Sequence, residues 1–164
     1  MRRAFAHSAE YLPSATDAEP VFGALAPEMS RRARSLVVWA TLKAYGRRGL
    51  GEIVEHDLEL ARYLSRRVED APDLEPLARV PLNVVCFRYN PGSSSEEGLN
   101  IINRKLGSAL LADGRVLVGT TTFQGKVGLR PAIVNWRTRP EDIDILVEVV
   151  RELGARITAS SPPS

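Results

Sequence analysis

Arginines are the side chains of this sequence best equipped to meet an anion. Arg31, Arg32 and Arg34 stand directly before an apolar run, Leu36, Val37, Val38, Trp39, Ala40, Leu42 and Tyr45, that covers almost every face of a helix. That helix is expected to be packed on most sides. The arginines at its start would then meet an anionic group, cap another surface, or stand solvated. Arg130 lies inside GLRPAIVN, where strict alternation puts it on one face with Ala132 and Val134, opposite Leu129 and Ile133. An arginine among apolar neighbours needs an anionic partner, because an unpaired buried charge is costly. A structural ion pair meets that need. So does a clamp on a substrate carboxylate or on an anionic part of another domain. Pro131 has no N–H to give a ladder, so this strand is expected at a sheet edge or locally irregular.

Other chemistry is sparse. His7 and His56 are the only histidines, and His56 sits off the apolar stripe of its helix, where a solvated side chain is expected. The single cysteine, Cys86, lies in an apolar run, which excludes an intramolecular disulfide and suits a reducing compartment. With these few donors a zinc site has no ligand set. Dinucleotide, phosphate-loop and serine-hydrolase motifs do not occur, and the carboxylates form no acid–base pair. A net charge of +2 is too small to argue for nucleic acid, and the basic clusters RRAR and GRRG are balanced by acids elsewhere. No stretch reaches the roughly 20 apolar residues of a membrane span, and the basic N-terminus lacks a secretory apolar core. A cytoplasmic protein is expected.

The elements that would position these residues follow from periodicity. Three prolines between residues 13 and 29 mark a loop after a short N-terminal arm. Helices are expected over about 30–45 and 50–69, with Gly46 as a left-handed cap between them. The second carries the stripe Leu50, Ile53, Val54, Leu58, Ala61, Leu64 and Val68. Residues 82–89 (LNVVCFRY) read as a strand, 94–113 as a helix opened by a Ser94/Glu97 capping box, and 116–122 and 126–134 as a hairpin across Gln124-Gly125. Thr138 and Glu141 open a last helix that Gly154 ends, and the tail beyond Ile157 reads as disordered. The order is that of an α+β fold, an antiparallel sheet with helices on one face. The expected divisions are an arm over 1–29, a domain over 30–157 and a tail over 158–164.

The segments PEMSRRARSLVVWATLKAYGRRGL, ELARYL, PLNVVCFRYNP, DGRVLVGTT and VGLRPAIVNWRTRPEDID, in this order, closely resemble the C-terminal part of the group II pyridoxal-phosphate-dependent amino-acid decarboxylases, the aromatic-amino-acid and glutamate decarboxylase family. The likeness covers about residues 3 to 155. It implies the small C-terminal domain of an aspartate aminotransferase-like (fold-type I) enzyme. It implies pyridoxal 5'-phosphate as cofactor, whose ring accepts the electrons released as carbon dioxide leaves an L-amino acid. It also implies two partners: a large domain carrying the cofactor, and a second subunit of a homodimer.

In the family the lysine that holds the cofactor follows a histidine. Lys43, Lys105 and Lys126 do not, so no cofactor lysine is assigned here, and the chain is expected to be a truncated piece inactive alone. The family's mobile loop carries a proton-donating tyrosine. Counting back from Ser30 puts Phe22 at its place, and that replacement is associated with aldehyde formation. Arg130 matches a family arginine that faces the substrate carboxylate. Arg31, Arg32 and Arg34 match an RR-x-R that packs against the large domain near the cofactor. The competing reading is a non-catalytic α+β binding or regulatory module. A piece of an enzyme should expose the apolar face of its first helix; a self-sufficient module should not.

Overall fold

The computed structural model describes residues 32–92 and 94–160. The N-terminal arm, Phe22, Arg31, His7 and the last four residues therefore lie outside the described residues. The chain divides into two compact units, one ending at Arg47 and the other beginning at Arg48.

Helix α1 (Arg34–Glu69) is broken at Gly46, whose φ of 62° and ψ of −174° no helix accommodates. The glycine expected as a cap thus separates two helical segments, and its lack of a Cβ makes the positive φ accessible. The first segment begins at Arg34 rather than near Ser30. It is not packed on most sides as its composition suggests: Leu36, Val37, Val38, Trp39, Leu42 and Tyr45 are each at least 50% exposed. The second segment buries Leu60, Ala61, Leu64 and Val68. The stripe is rotated from the one expected, since Leu60 is inside while Val54 is 55% exposed.

In the second unit, β1 (Leu74–Pro76), β2 (Phe87–Tyr89), β4 (Lys126–Leu129) and β3 (Thr120–Phe123) form one antiparallel sheet in the order β1-β2-β4-β3. Helices α2 (Glu96–Asp113) and α3 (Pro140–Ala159) pack on it and on each other, as the α+β expectation had it. Strand β1 went unanticipated because Pro76 within it and Pro72 just before it hide it. Pro76 is tolerated because β1 pairs only with β2 and leaves an edge free. The β3–β4 hairpin turns at Gln124 (φ 49°) and Gly125 (φ 81°), two successive positive φ values that suit a two-residue turn between twisted strands.

Regular strands are shorter than the sequence pattern. Beyond β2 and β4 the pairing continues only as a bridge between Val84 and Ala132, flanked by Val85 N–H to Pro131 O (3.1 Å) and Ile133 N–H to Asn83 O (2.9 Å). Pro131 cannot return the bond to Val85, and the Asn83 side chain donates to Ile133 O instead. Helix ends shift too. Ser95, not Ser94, caps α2, accepting from Gly98 N–H at 3.2 Å. Arg139, not Thr138, is the N-cap of α3, and its N–H donates to Asp142 at 2.8 Å. Gly154 lies inside α3, which runs on to Ala159, because a bare Cα is needed there against the ring of Tyr89.

The core joins the second segment of α1, the sheet, α2 and α3 through Leu64, Phe87, Leu106, Leu129, Leu146 and Val150 among others. Buried Asn103 bridges α2 to β2: its Oδ1 accepts from Tyr89 N–H, and its Nδ2 donates to the Tyr89 and Leu99 carbonyls, all within 2.9 Å. Among the described residues no helix is long and apolar enough to cross a membrane.

Candidate functional site

The site is set by the register of β2 against β4. Phe87 lies opposite Leu129 and Val84 opposite Ala132, so the same register puts Cys86 opposite Arg130 and Leu82 opposite Val134. On the other side of β4, Thr120 pairs with Leu129 and Arg130 N–H bonds to Gly119 O at 2.7 Å, which brings Leu117 across from Ala132. Alternation does the rest. Val85, Phe87, Leu129 and Ile133 point into the core, and the opposite side carries Leu82, Val84, Cys86, Leu117, Ala132, Val134 and Arg130.

Arg130 is therefore where alternation put it, on a face with Ala132 and Val134. It is exposed, however, rather than buried with a counter-ion, and forms no ion pair among the described residues. Among the described residues the expected anionic partner is not met, and water reaches the exposed side chain. Around it, Leu117 is 85% exposed and Val134 70%. Leu117, Ala132 and Val134 also line an open depression of about 300 Å³ that reaches Ile143 and Leu146 of α3. Burial pushes the half-buried Cys86 thiol up, and the positive charge of nearby Arg130 opposes the shift.

Two residues along β2 on the same face, Arg88 is 1% exposed and fully engaged. Its guanidinium donates to both oxygens of Glu96 in the first turn of α2 (2.7 and 2.9 Å) and, through Nε, to Glu75 on β1 (2.8 Å). Lys126 and Asn90 also donate to Glu75. Burial raises the Glu75 carboxyl, but bonds from Lys126, Arg88 and Asn90 outweigh it and hold the group below its ordinary value; Arg88 does the same for Glu96. Sequence reading passed over Arg88. The one signal for it was an arginine at an alternating position of a strand, the same signal that singled out Arg130.

His56 is not simply solvated. Its Nε2 donates to Thr138 O at 2.9 Å, tying α1 to the turn before α3, where the Arg137 guanidinium lies 4.9 Å from the Trp136 ring centre. Arg32 and Arg34 are exposed and form no ion pair among the described residues.

The lysines bear on cofactor chemistry. A lysine that forms a covalent bond to a carbonyl cofactor is activated by a desolvated pocket or a second cation. Lys43 and Lys105 are exposed, and Lys126 is held by Glu75 at 2.9 Å. Among the described residues no group of histidine, cysteine and carboxylate side chains could hold a metal. The described residues thus do not fit as an anchor for pyridoxal phosphate, and they offer instead a wall with one free arginine.

Residues 1–90 match the family model described as the pyridoxal-dependent decarboxylase conserved domain. This chain belongs to that decarboxylase family. It is 30% identical over 142 residues to the aromatic-L-amino-acid decarboxylase of Bacillus atrophaeus, a match covering 86% of this chain and 30% of the relative. It is 29% identical over 124 residues to the phenylacetaldehyde synthase of Arabidopsis thaliana, covering 76% and 25%. The structure superposes on that of the Catharanthus roseus tryptophan decarboxylase in complex with L-tryptophan with a TM-score of 0.77 at 26% identity, covering 95% of this chain and 33% of the other. This family member therefore spans a quarter to a third of the length of the relatives it matches, and its fold is that of a part of them.

Proposed function

We propose that this chain acts as the small domain of a pyridoxal-phosphate-dependent L-amino-acid decarboxylase, completed by a cofactor-bearing large domain and a second subunit. The observation that carries this reading is Arg130, an arginine without an ion pair among the described residues, inside an exposed apolar face. A guanidinium so placed is suited to grip a carboxylate through two parallel hydrogen bonds once a partner has excluded water around it. In this reading Arg130 orients the substrate carboxylate. Arg31, Arg32 and Arg34 lie at the boundary with the large domain, residues 30–157 form the small domain, and the covalent anchor for the cofactor comes from the large domain.

The test is a chimera in which this chain replaces the matching segment of the Bacillus atrophaeus decarboxylase. It should release carbon dioxide from one or more L-amino acids in an aromatic and acidic panel, while the chain alone neither does so nor takes up a stoichiometric amount of pyridoxal phosphate. In the chimera, Arg130→Ala should raise KM with a smaller effect on kcat, and Arg130→Lys should recover part of the loss. Turnover or stoichiometric cofactor uptake by the chain alone would overturn the proposal.

Phe22 favours a second reading, an aldehyde-forming member of the family. It stands where the resemblance expects a proton-donating tyrosine, and phenylalanine has no such proton. Product analysis separates the two: an amine supports decarboxylation with proton return, an aldehyde the variant.

A further inference from the structure

We infer that the open cleft at the turn before α3 is a binding site for a nucleoside monophosphate, with the base on Trp136 and the phosphate held by Arg137 and Arg139. The cleft has a volume of about 610 Å³ and is lined by His56, Trp136, Arg137, Thr138, Arg139 and Asp142. Arg130 is not part of its wall, so the inference stands or falls apart from the small-domain reading. The turn does not need these three side chains to hold its shape. Thr138 N–H donates to Asn135 O at 2.9 Å, and Arg137 N–H to Asn135 Oδ1 at 3.1 Å. The His56 bond to Thr138 O and the bond from Arg139 N–H to Asp142 fix the rest. Trp136 is 63% exposed, and the Arg137 guanidinium lies against its ring. Neither Arg137 nor Arg139 forms an ion pair among the described residues. A pinned turn that carries uncommitted groups presents them at little ordering cost to a ligand.

The groups in the wall select the ligand by class. A base has a flat face that stacks on an exposed indole. A guanidinium resting on an aromatic ring keeps its edge N–H groups for an anion, and it meets phosphate oxygens in pairs. Asp142 is the one carboxylate in the wall. It repels a phosphate and accepts hydrogen bonds from sugar hydroxyls, which fixes the polarity of the ligand: phosphate at the arginines, ribose at Asp142. An inorganic anion would leave Trp136 in water, and a bare nucleoside would leave both guanidinium groups unmatched. A ligand that carries ring, sugar and phosphate together uses the whole wall.

The chain has two tryptophans, so Trp39→Phe leaves Trp136 as its one indole reporter. Titrated with adenosine monophosphate, the fluorescence of this variant should fall saturably with a midpoint on the order of 1 mM or below. Equilibrium dialysis with the labelled nucleotide should give one molecule per chain. Adenosine and inorganic phosphate should each bind at least about tenfold more weakly. Arg137→Gln with Arg139→Gln should move the nucleotide midpoint up by about tenfold or more at an unchanged melting temperature, and Arg104→Gln, an exposed position of α2, should not move it. Should the double variant melt lower, Arg139→Gln, which keeps the contact between Arg137 and Trp136, carries the comparison. Quenching that never saturates overturns the inference. So does an equal midpoint for adenosine, which leaves a stacking face alone, or for inorganic phosphate, which leaves a patch that takes any anion. Oligoadenylate that binds far more tightly than the mononucleotide gives the cleft to nucleic acid and overturns it as well.

Discussion

Arg88 and Arg130 sit on one side of the same strand pair and do opposite work. Arg88 is sealed by two carboxylates and holds β1, β2 and α2 together. Replacing it with glutamine should destabilise the fold by about 3 kcal/mol, the scale of breaking a buried ion pair, read as a lower urea midpoint. Its partners also make the fold sensitive to acid. Glu75 and Glu96 are held below the ordinary carboxyl value of 4.5, so the unfolded chain binds more protons as pH falls past that value. Stability should be full above it and drain as pH drops toward the folded values, and the Arg88→Gln protein should lose less over that range. Arg130 is exposed, and Arg130→Ala should shift the midpoint by no more than about 0.5 kcal/mol. A large loss there would mark a structural ion pair after all. The side assigned to Arg130 was legible from alternation alone. The engagement of Arg88 was not, because its partners come from β1 and α2, elements whose approach no local pattern encodes.

Apart from β1, the elements and their order were legible, and their ends were not. The helix–strand–helix–hairpin–helix sequence follows from apolar period and turn chemistry, whereas the strand over 126–134 stops early because Pro131 withholds one donor. Gly154 misled for a related reason: a glycine near the end of an apolar stripe suggests a stop, yet this one serves the packing of α3 on β2. A Cβ there would come within 2.6 Å of the Tyr89 ring. Gly154→Ala should therefore cost about 1–3 kcal/mol despite the better helix propensity of alanine. Gly51, also helical, has nothing within 4 Å of an added Cβ, so Gly51→Ala should gain up to about 1 kcal/mol. Thermal denaturation of the two variants gives opposite signs if the helices are packed as described.

At the scale of the whole chain, the family was legible because five segments resemble it in order. The first segment of α1 leaves Trp39 56% and Val37 68% exposed on a helix that is apolar all round. A purified chain should self-associate with rising concentration, and Val37→Glu with Trp39→Glu should shift sedimentation toward the monomer. A sharp monomer at high concentration for the unsubstituted chain would favour the self-sufficient module. Both readings share the α+β core of the second unit, so a cooperative melt of that core does not choose between them.

The borders of the sheet limit what such clustering can become. At one margin β1 has three residues and ends in Pro76; at the other, β3 is built of threonines, and Gly107 brings α2 against Thr120. Short, proline-stopped or helix-shielded margins are poor templates for adding foreign strands. Crowded molecules should thus gather through their greasy sides into dispersible clusters, dissolving on dilution, and leave thioflavin dark.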